Sequence, residues 1–334
     1  MGKPKLALTM GDPAGIGPEI TVKSLFDATV YEESQPLVVG DVAVLEEALR
    51  FSNLSATVHP VSHPDEGVYQ VGTIDVLDLA NVNVSTLKMG QVQAAGGKAA
   101  FEYIERAIRL AVAGEVNAVV TAPINKESLQ AAKVPYIGHT EMFAELTGSK
   151  QEMTMFSILN LKIFFLTRHV SLRRACELIT RERVFSGIEK SLSALHQLGF
   201  ENPHLAVAGL NPHAGEHGLF GREEVDEIVP AIQMAKDKGW NVTGPVPADS
   251  VFHMGRMGRF DAVLSLYHDQ GHIAAKMMDF ERTVSVTLGL PILRTSVDHG
   301  TAFDIAGKGI ASPVSMREAV KVGAEYARRG VRLA

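Results

Sequence analysis

Three histidines carry the clearest chemical signal in this chain. His169, His213 and His268 each follow an apolar run that predicts a buried strand, and each precedes a turn or a helix. The carboxyl ends of parallel strands meet at one edge of a sheet, where α/β proteins keep their sites. Three neutral imidazoles suit a divalent transition metal with an open position for substrate or water. We therefore predict a metal site at this edge, to which Asp249 and Asp269 could add a ligand or an orienting carboxylate.

The spacing of His268 and His272 also matches a helical zinc-protease motif, but two features argue against that interpretation. The glutamate that acts as general base in such a motif is missing, because Asp269 follows His268. Gly271 would weaken a helix at this point, so we expect a loop at the end of the preceding strand. The segment then contributes one metal ligand, His268.

A second set of residues could bind an anion. His139 and Thr140 stand at the start of a predicted helix, a position that attracts phosphate and carboxylate groups. Lys276 and Arg294 add positive charge on either side of the strand that contains Ser285. The alternative is that each cation is an ordinary surface charge.

Strands and helices alternate almost throughout, which predicts an α/β fold with a largely parallel sheet. A first strand, Lys5–Met10, leads through a glycine-rich turn into a helix from about Pro18 to Phe26. The turn has neither the G-x-G-x-x-G spacing of a dinucleotide site nor the Gly-Lys-Ser/Thr of a Walker loop. A polar loop, Asp298–Gly309, precedes a closing helix from about Ser315 to Arg329.

Composition narrows the possible functions. The chain has 334 residues, a net charge of −6 and one cysteine, Cys176. The length suggests two domains or one large one. Charges of one sign form no long run, so we expect no nucleic-acid partner. A single cysteine excludes an internal disulfide framework, and no targeting segment or membrane span is visible, so we expect a cytoplasmic protein without a membrane partner.

Several motifs together resemble the 4-hydroxythreonine-4-phosphate dehydrogenase family over essentially the whole chain. They are the segments Gly11–Glu19, Gly138–Glu141, Asn211–Glu216, Tyr267–Gly271 and Arg294–Thr301. In addition, the segment Asp298–Pro313 resembles the cofactor loop of isocitrate and isopropylmalate dehydrogenases.

The resemblance implies a homodimer of two-domain α/β subunits. The implied fold is like that of isocitrate and isopropylmalate dehydrogenases, with largely parallel sheets and the active site in the interdomain cleft. A cofactor-side domain would comprise residues 1–127 with 283–334. A metal- and dimer-side domain would comprise residues 128–282.

The resemblance also implies roles for individual residues. A divalent ion (zinc, magnesium, manganese or cobalt) would bind His169, His213 and His268, with ligands drawn from both subunits. The substrate pocket would be lined by His139, Thr140, Lys276, Ser285 and Arg294. NAD, or alternatively NADP, would lie along the loop at His299, Gly300, Thr301 and Asp304. Lys276 and Asp269 are the candidates for the proton acceptor.

The implied reaction is a metal-dependent, NAD-linked oxidation and decarboxylation of a C4-phosphorylated 3-hydroxy acid. In the family, 4-phosphooxy-L-threonine gives 3-amino-2-oxopropyl phosphate during pyridoxal phosphate (pyridoxine) biosynthesis. Two departures leave an alternative open. Ser285 stands where the family commonly has asparagine, so its contact with the substrate should differ.

The second departure is His272 together with the run Thr301–Asp304. These residues resemble paralogues that convert D-threonate or D-erythronate 4-phosphate to dihydroxyacetone phosphate in sugar-acid catabolism. Outside the dehydrogenases, the alternatives are a metal-dependent phosphate-ester hydrolase and a non-catalytic metal- or ligand-binding protein.

Overall fold

Short apolar runs bounded by glycine, proline or polar residues form the strands, as the sequence predicts. The computed structural model describes residues 2–149 and 152–329. The chain divides into two units, of which the first comprises Met1–Glu152 with Val284–Ala334 and the second Met153–Thr283. Both units are α/β, so the predicted fold class is confirmed.

The boundary between the units differs from the expected one at residues 128–152, which group with the first unit. The reason is helix packing. Helix Lys126–Ala131 lies against helix Ala94–Val112, and a Cβ at Gly97 would come within 2.0 Å of the Ser128 carbonyl oxygen. Such a close approach ties residue 128 to the first unit. The cofactor, metal and dimer roles of the two domains stay predictions.

The sheet of the first unit has the order β3-β4-β2-β1-β5-β12-β11. Neighbouring strands are parallel except for β12 and β11, which are antiparallel. The central strands are fully buried, with Leu6, Ala7 and Leu8 at 0% exposure. These strands are β1 (Lys5–Thr9), β2 (Gln35–Gly40), β3 (Thr57–Val61), β4 (Thr73–Asp78), β5 (Ala118–Thr121), β11 (Val284–Leu288) and β12 (Arg294–Val297).

Helices cover this sheet and begin where local signals predict. Pro18 occupies the first turn of the first helix, and the Asp41 side chain accepts a hydrogen bond from Val44 N to cap the third. The helices are α1 (Gly17–Ser24), α2 (Ala28–Glu33), α3 (Val42–Phe51), α4 (Ala94–Val112), α5 (Lys126–Ala131), α6 (His139–Leu146) and α12 (Val314–Arg328), with a 3₁₀ turn at Pro64–Glu66.

The sheet of the second unit has the order β6-β7-β10-β8-β9. Strands β6 and β7 form an antiparallel hairpin, and the remaining neighbours are parallel. The strands are β6 (Met153–Ile158), β7 (Leu161–Phe165), β8 (Leu205–Ala208), β9 (Val242–Val246) and β10 (Ala262–Ser265).

The second unit contains the helices α7 (Leu172–Glu177), α8 (Arg181–Gln197), α9 (Val229–Asp237), α10 (Ala248–Arg256) and α11 (His268–Met278). A short turn occupies Pro212–Gly218, and a π-helical turn, Glu224–Ile228, leads into α9. None of the described helices combines the length and apolar character that crossing a bilayer requires.

Candidate active site

The three histidines lie beyond the carboxyl ends of three neighbouring strands. His169 follows β7, His213 follows β8 and His268 follows β10. Strand β10 pairs in parallel with β7 on one side and with β8 on the other. The shared sheet edge that the sequence predicts is therefore present. Their role as metal ligands stays a prediction.

The chemistry of this donor set fits a transition metal, but the described residues of one chain do not bring a complete set of ligands together. The ring centroids of His169 and His268 are 6.1 Å apart. Two imidazoles on one tetrahedral metal, with metal–nitrogen bonds of about 2.0–2.1 Å, place their centroids roughly 5 Å apart. No group of three or more histidine, cysteine, aspartate or glutamate residues suited to a metal occurs among the described residues. His169 and His268 could thus hold part of a coordination sphere.

His213 lies in a strained backbone turn. His213, Ala214, Glu216 and His217 have φ values of 54°, 54°, 42° and 55°, and Gly215 between them has 79°. In this left-handed region each non-glycine residue costs about 1–2 kcal/mol. Strain of this kind gathers at functional sites, where the surrounding structure must impose it.

Helix α11 begins at His268, where we expected a loop. The expectation was wrong because Gly271, a weak helix former, is required by packing. A Cβ at this position would lie 2.5 Å from Phe165 Cε1 and 2.8 Å from Ser265 Oγ. Glycine lets the helix lie against the sheet, and this tertiary contact overrides the local propensity.

The helix places His272 directly against His268. The two rings stack with centroids 3.6 Å apart and planes 11° apart. His272 Nδ1 lies 2.8 Å from the carbonyl oxygen of His268 and donates to it, because a carbonyl can only accept. Phe156 and Phe165 each approach the His272 ring to 4.5 Å between centroids. Burial lowers the pKa of His272 to about 4, so it is neutral at pH 7.

The two candidate proton acceptors differ in their surroundings. The Asp269 carboxylate is 72% exposed, and its Oδ1 lies 2.6 Å from His268 Nδ1. This contact orients the imidazole and leaves its Nε2 for a metal. Lys276 lies two turns further along α11, with Nζ 5.2 Å from the centroid of the Phe280 ring. The geometry gives Asp269 an orienting function, and the catalytic role of either residue stays a prediction.

A cavity of about 400 Å³ lies against His169 and His268. Arg168 lines it and donates a hydrogen bond to Thr154 Oγ1. Sequence reasoning did not assign Arg168 a role, although its position directly before His169 was a usable signal. The cavity is lined by Arg168, His169, Val170, Ser171, Leu172, Ala175, Tyr267, His268 and Asp269.

In the first unit, Arg294 is a buried cation. Its side chain belongs to a residue that is 4% exposed. The guanidinium donates to the hydroxyls of Thr121 and Thr287 and lies 5.0 Å from the centroid of the Phe143 ring. Within residues 2–149 and 152–329, no carboxylate pairs with it. Burial lowers the pKa of Arg294 to about 9, which shows how unfavourable this charge is where it stands.

His139 lies beside this cation at the first position of α6. Burial, and then the charge of Arg294, hold the pKa of His139 well below its usual value. Its Nε2 is buried without a hydrogen-bond partner in the described part of the chain. Thr140 follows it in the helix, and Ser285 pairs with Ser296 across β11 and β12; both are half-buried. A buried cation beside a neutral histidine with a spare nitrogen is suited to an anionic group.

The predicted cofactor loop follows β12 and packs on the glycine-rich turn near the N-terminus. Ile16 N donates to the Thr301 carbonyl oxygen at 3.0 Å, and a Cβ at Gly15 would lie 3.0 Å from Thr301 Cβ. A Cβ at Gly300 would meet no atom within 4 Å. Asp304 is exposed. The backbone at Gly300 is therefore open to the close approach of a ligand.

A cavity of about 430 Å³ lies beside this loop, a size typical of small-molecule sites. The four predicted cofactor residues do not line it, but Ala306 and Gly307 of the same loop do. Sequence reasoning missed the remaining walls, which come from distant segments. The lining residues are Pro13, Pro18, Val44, Glu47, Arg50, Phe51, Val84, Ser85, Leu87, Met89, Ala306 and Gly307.

Solved structures first define the class of protein. A 4-hydroxythreonine-4-phosphate dehydrogenase from Klebsiella pneumoniae matches with a TM-score of 0.90 and 41% identity, over 97% of this chain and 98% of that one. One from Burkholderia phymatum matches with a TM-score of 0.86 and 44% identity, over 98% and 99%. The chain thus has the fold of an α/β dehydrogenase.

Sequence comparison then gives the family. The family model described as pyridoxal phosphate biosynthetic protein PdxA matches residues 32–323. The chain belongs to the PdxA family, and the predicted family resemblance is confirmed. A Symbiobacterium thermophilum protein, provisionally named D-threonate 4-phosphate dehydrogenase, is 60% identical over 325 residues, 97% of each chain. The protein is accordingly an oxidoreductase.

Proposed function

We propose that this protein oxidises and decarboxylates a C4-phosphorylated 3-hydroxy acid with NAD, and that the acid is D-threonate 4-phosphate. The observation that carries a phosphorylated substrate is the buried Arg294 guanidinium, which has no carboxylate partner in the described part of the chain, beside the neutral His139. The oxidation is inferred from membership of the family. The substrate choice is supported by full-length relatives at 55–60% identity that bear this name, against 39–44% for the solved 4-hydroxythreonine-4-phosphate dehydrogenases.

The phosphate would bind in the first unit. Arg294 offers charge and two guanidinium nitrogens, and His139 Nε2 is unused in the described structure. Helix α6 has no side-chain cap at its N-terminus, so its first N–H groups, including that of Thr140, are suited to an anion. Ser285 and Lys276 keep the substrate-binding roles that the resemblance implies.

His169, His213 and His268 would hold the divalent ion, zinc, manganese, cobalt or magnesium. When bound, such an ion polarises the substrate's C3 hydroxyl and stabilises negative charge that develops on its oxygen. NAD would take up the C3 hydrogen as hydride, and Lys276 or Asp269 would accept the hydroxyl proton. The resulting 3-keto acid would lose CO₂, and the enolate that remains would take up a proton at C2 to give dihydroxyacetone phosphate. The His299–Asp304 loop and the adjoining cavity would hold NAD.

A second copy of the chain would complete the site. The three-ligand cluster is lacking among the described residues of one chain. Ile273, Met277 and Phe280 recur at intervals of four and three residues along α11 and just beyond it, and they are 62%, 81% and 63% exposed. An exposed apolar stripe next to a metal ligand is suited to a subunit interface. Light scattering should give the mass of a dimer, and a monomer that is fully active would contradict this assignment.

The decisive experiment compares NADH formation from D-threonate 4-phosphate and from 4-phosphooxy-L-threonine, with NAD and with NADP. We expect a higher kcat/KM for D-threonate 4-phosphate and dihydroxyacetone phosphate as product. The second candidate is 4-phosphooxy-L-threonine, favoured by the family model and by the solved structures. Inactivity on both acids would contradict both proposals, and phosphate release without NAD would support a hydrolase instead.

A further inference from the structure

A buried carboxylate lies behind the strained turn of residues 213–217. Glu224 is 2% exposed. Its Oε1 accepts hydrogen bonds from the backbone N–H groups of Leu210 and Asn211, each at 2.7 Å. Its Oε2 accepts one from Asn211 Nδ2 at 2.8 Å. One side chain thus fixes two of the four residues that connect β8 to the left-handed turn.

The turn itself packs against the same carboxylate. Gly215 lies at its centre, and a Cβ there would come within 2.6 Å of Glu224 Oε2. At the end of β8, a Cβ at Gly209 would lie 3.0 Å from the Cα of Ala214. The backbone of the turn is therefore confined between Glu224 and the end of β8. Only glycines at positions 209 and 215 allow this fit without displacing a neighbour.

The Glu224 carboxylate is held by hydrogen bonds from backbone N–H groups and not by a cation. In the described structure no lysine, arginine or histidine forms an ion pair with Glu224, whereas ion-paired acids such as Glu177 and Asp226 are exposed. A buried carboxylate that accepts several N–H groups forms strong, directional hydrogen bonds. Its effect is to hold a particular backbone geometry that the residues of the turn would not adopt alone.

We propose that Glu224 is a positioning residue that fixes the left-handed turn and, through it, the direction of the His213 imidazole. The inference rests on the proposed metal role of His213. Without the carboxylate, the non-glycine residues of the turn would relax towards ordinary φ values. The His213 imidazole would then move away from the proposed metal position. Groups of this kind, one step behind a ligand, set its orientation and affect metal affinity.

The test measures Co²⁺ affinity of the full-length protein by absorbance, in competition with a chelator. Glu224→Ala should weaken Co²⁺ binding by about 10–100-fold, the usual effect of losing such a group. Glu224→Gln should fall between it and the wild type, because the amide oxygen can still accept from Leu210 and Asn211. The matched control is Glu227→Gln, since Glu227 also accepts from a backbone N–H, that of Arg181, at 2.6 Å. Its Co²⁺ affinity should equal that of the wild type.

The outcomes separate the inference from its premise. Wild-type affinity in a folded Glu224→Ala protein, even with a lower Tm, would overturn the inference, since a purely structural role predicts that result. If this variant does not fold, Glu224→Gln decides by the same criterion. Loss of Co²⁺ binding in His213→Ala with retention in the Glu224 variants overturns the inference alone. Equal binding by wild type and His213→Ala overturns the proposed metal role and the inference with it.

Discussion

Replacing Arg294 with methionine should separate ligand binding from stability. The guanidinium is buried, hydrogen-bonded to Thr121 and Thr287, and without a carboxylate partner among the described residues. Its pKa, lowered to about 9 by burial, means that the folded protein disfavours the charge. Methionine has a similar length and no charge. The same change removes the principal cation of the proposed phosphate site.

The substitution should change the stability of the folded protein little and weaken substrate binding strongly. Exchanging buried charge for apolar packing is often neutral or stabilising by about 1–4 kcal/mol. Against this, two threonine hydroxyls lose a partner, at about 1 kcal/mol each. The free energy of unfolding without ligand should therefore change by no more than about 2 kcal/mol in either direction. Losing charged hydrogen bonds to a phosphate, at about 1.5–3 kcal/mol each, should weaken substrate binding by about 100-fold or more.

Urea unfolding without ligand measures the first quantity, and KM for the phosphorylated acid with inhibition by inorganic phosphate measures the second. The control is Arg317→Met, because Arg317 pairs with Asp27 at 2.8 Å while its side chain is 37% exposed. This change should cost at most about 1 kcal/mol and leave the kinetics unaltered. A strongly destabilised Arg294→Met protein with unchanged KM would refute the reasoning, since Arg294 would then be a structural residue.

Three further substitutions test other parts of the site. Gly300→Ala adds a Cβ to open space at an ordinary φ, so the stability of the protein should be unchanged. If the cofactor approaches this backbone, the affinity for NADH, measured by fluorescence, should fall about tenfold. Unaltered NADH affinity would remove Gly300 from the cofactor site. Gly271→Ala would bring a Cβ to 2.5 Å from Phe165 Cε1. It should lower the free energy of unfolding by about 1–3 kcal/mol. An unchanged midpoint of urea unfolding would mean that α11 does not pack as described. The folded-state pKa of His272, about 4, lies below the usual 6.5. The contribution of neutral His272 to stability is therefore fully present above pH 6.5 and is lost as the pH falls towards 4. The loss is at most about 1.4 kcal/mol per pH unit. His272→Leu should make the metal-free protein less sensitive over that range, and an identical pH profile would contradict the neutral, buried state of His272.

Local sequence signals were sufficient to predict the fold class and the placement of the three histidines. Each of His169, His213 and His268 ends a short apolar run, and that pattern needs no long-range information. The order β7-β10-β8, which makes the three strand ends neighbours, depends on pairing between segments about 60 to 100 residues apart along the chain. Nothing in the individual runs encodes that order, so sequence reasoning gives a shared edge but not adjacency.

The loop expected at His268 failed for a physical reason. Propensity places a weak helix former such as Gly271 outside helices, because its backbone loses more entropy on ordering. In the structure the missing Cβ is what allows α11 to approach Phe165 and Ser265. The sequence shows the glycine but not the side chains across from it, and the sign of its effect depends on them.

The support of His213 was also beyond local reasoning. The motif Asn211–Glu216 marked the segment as a site, but its left-handed backbone is not visible in residue types, since only Gly215 favours positive φ. Glu224 stands at the start of a π-helical turn, and nothing local connects its carboxylate to the N–H groups of Leu210 and Asn211. The walls of the larger cavity were missed for the same reason, because they are assembled from distant segments.

The candidate residues share one energetic feature. Arg294 is a buried charge whose described partners are neutral, His139 has a buried nitrogen without a partner in the described structure, and His213 stands in a left-handed turn. Each arrangement opposes folding, so the rest of the chain must impose it. An anion at the first two residues and a metal at the third would offset these terms. Ligands that bind only the folded state stabilise it in proportion to their affinity, and the unfavourable terms therefore lie where the proposed ligands act.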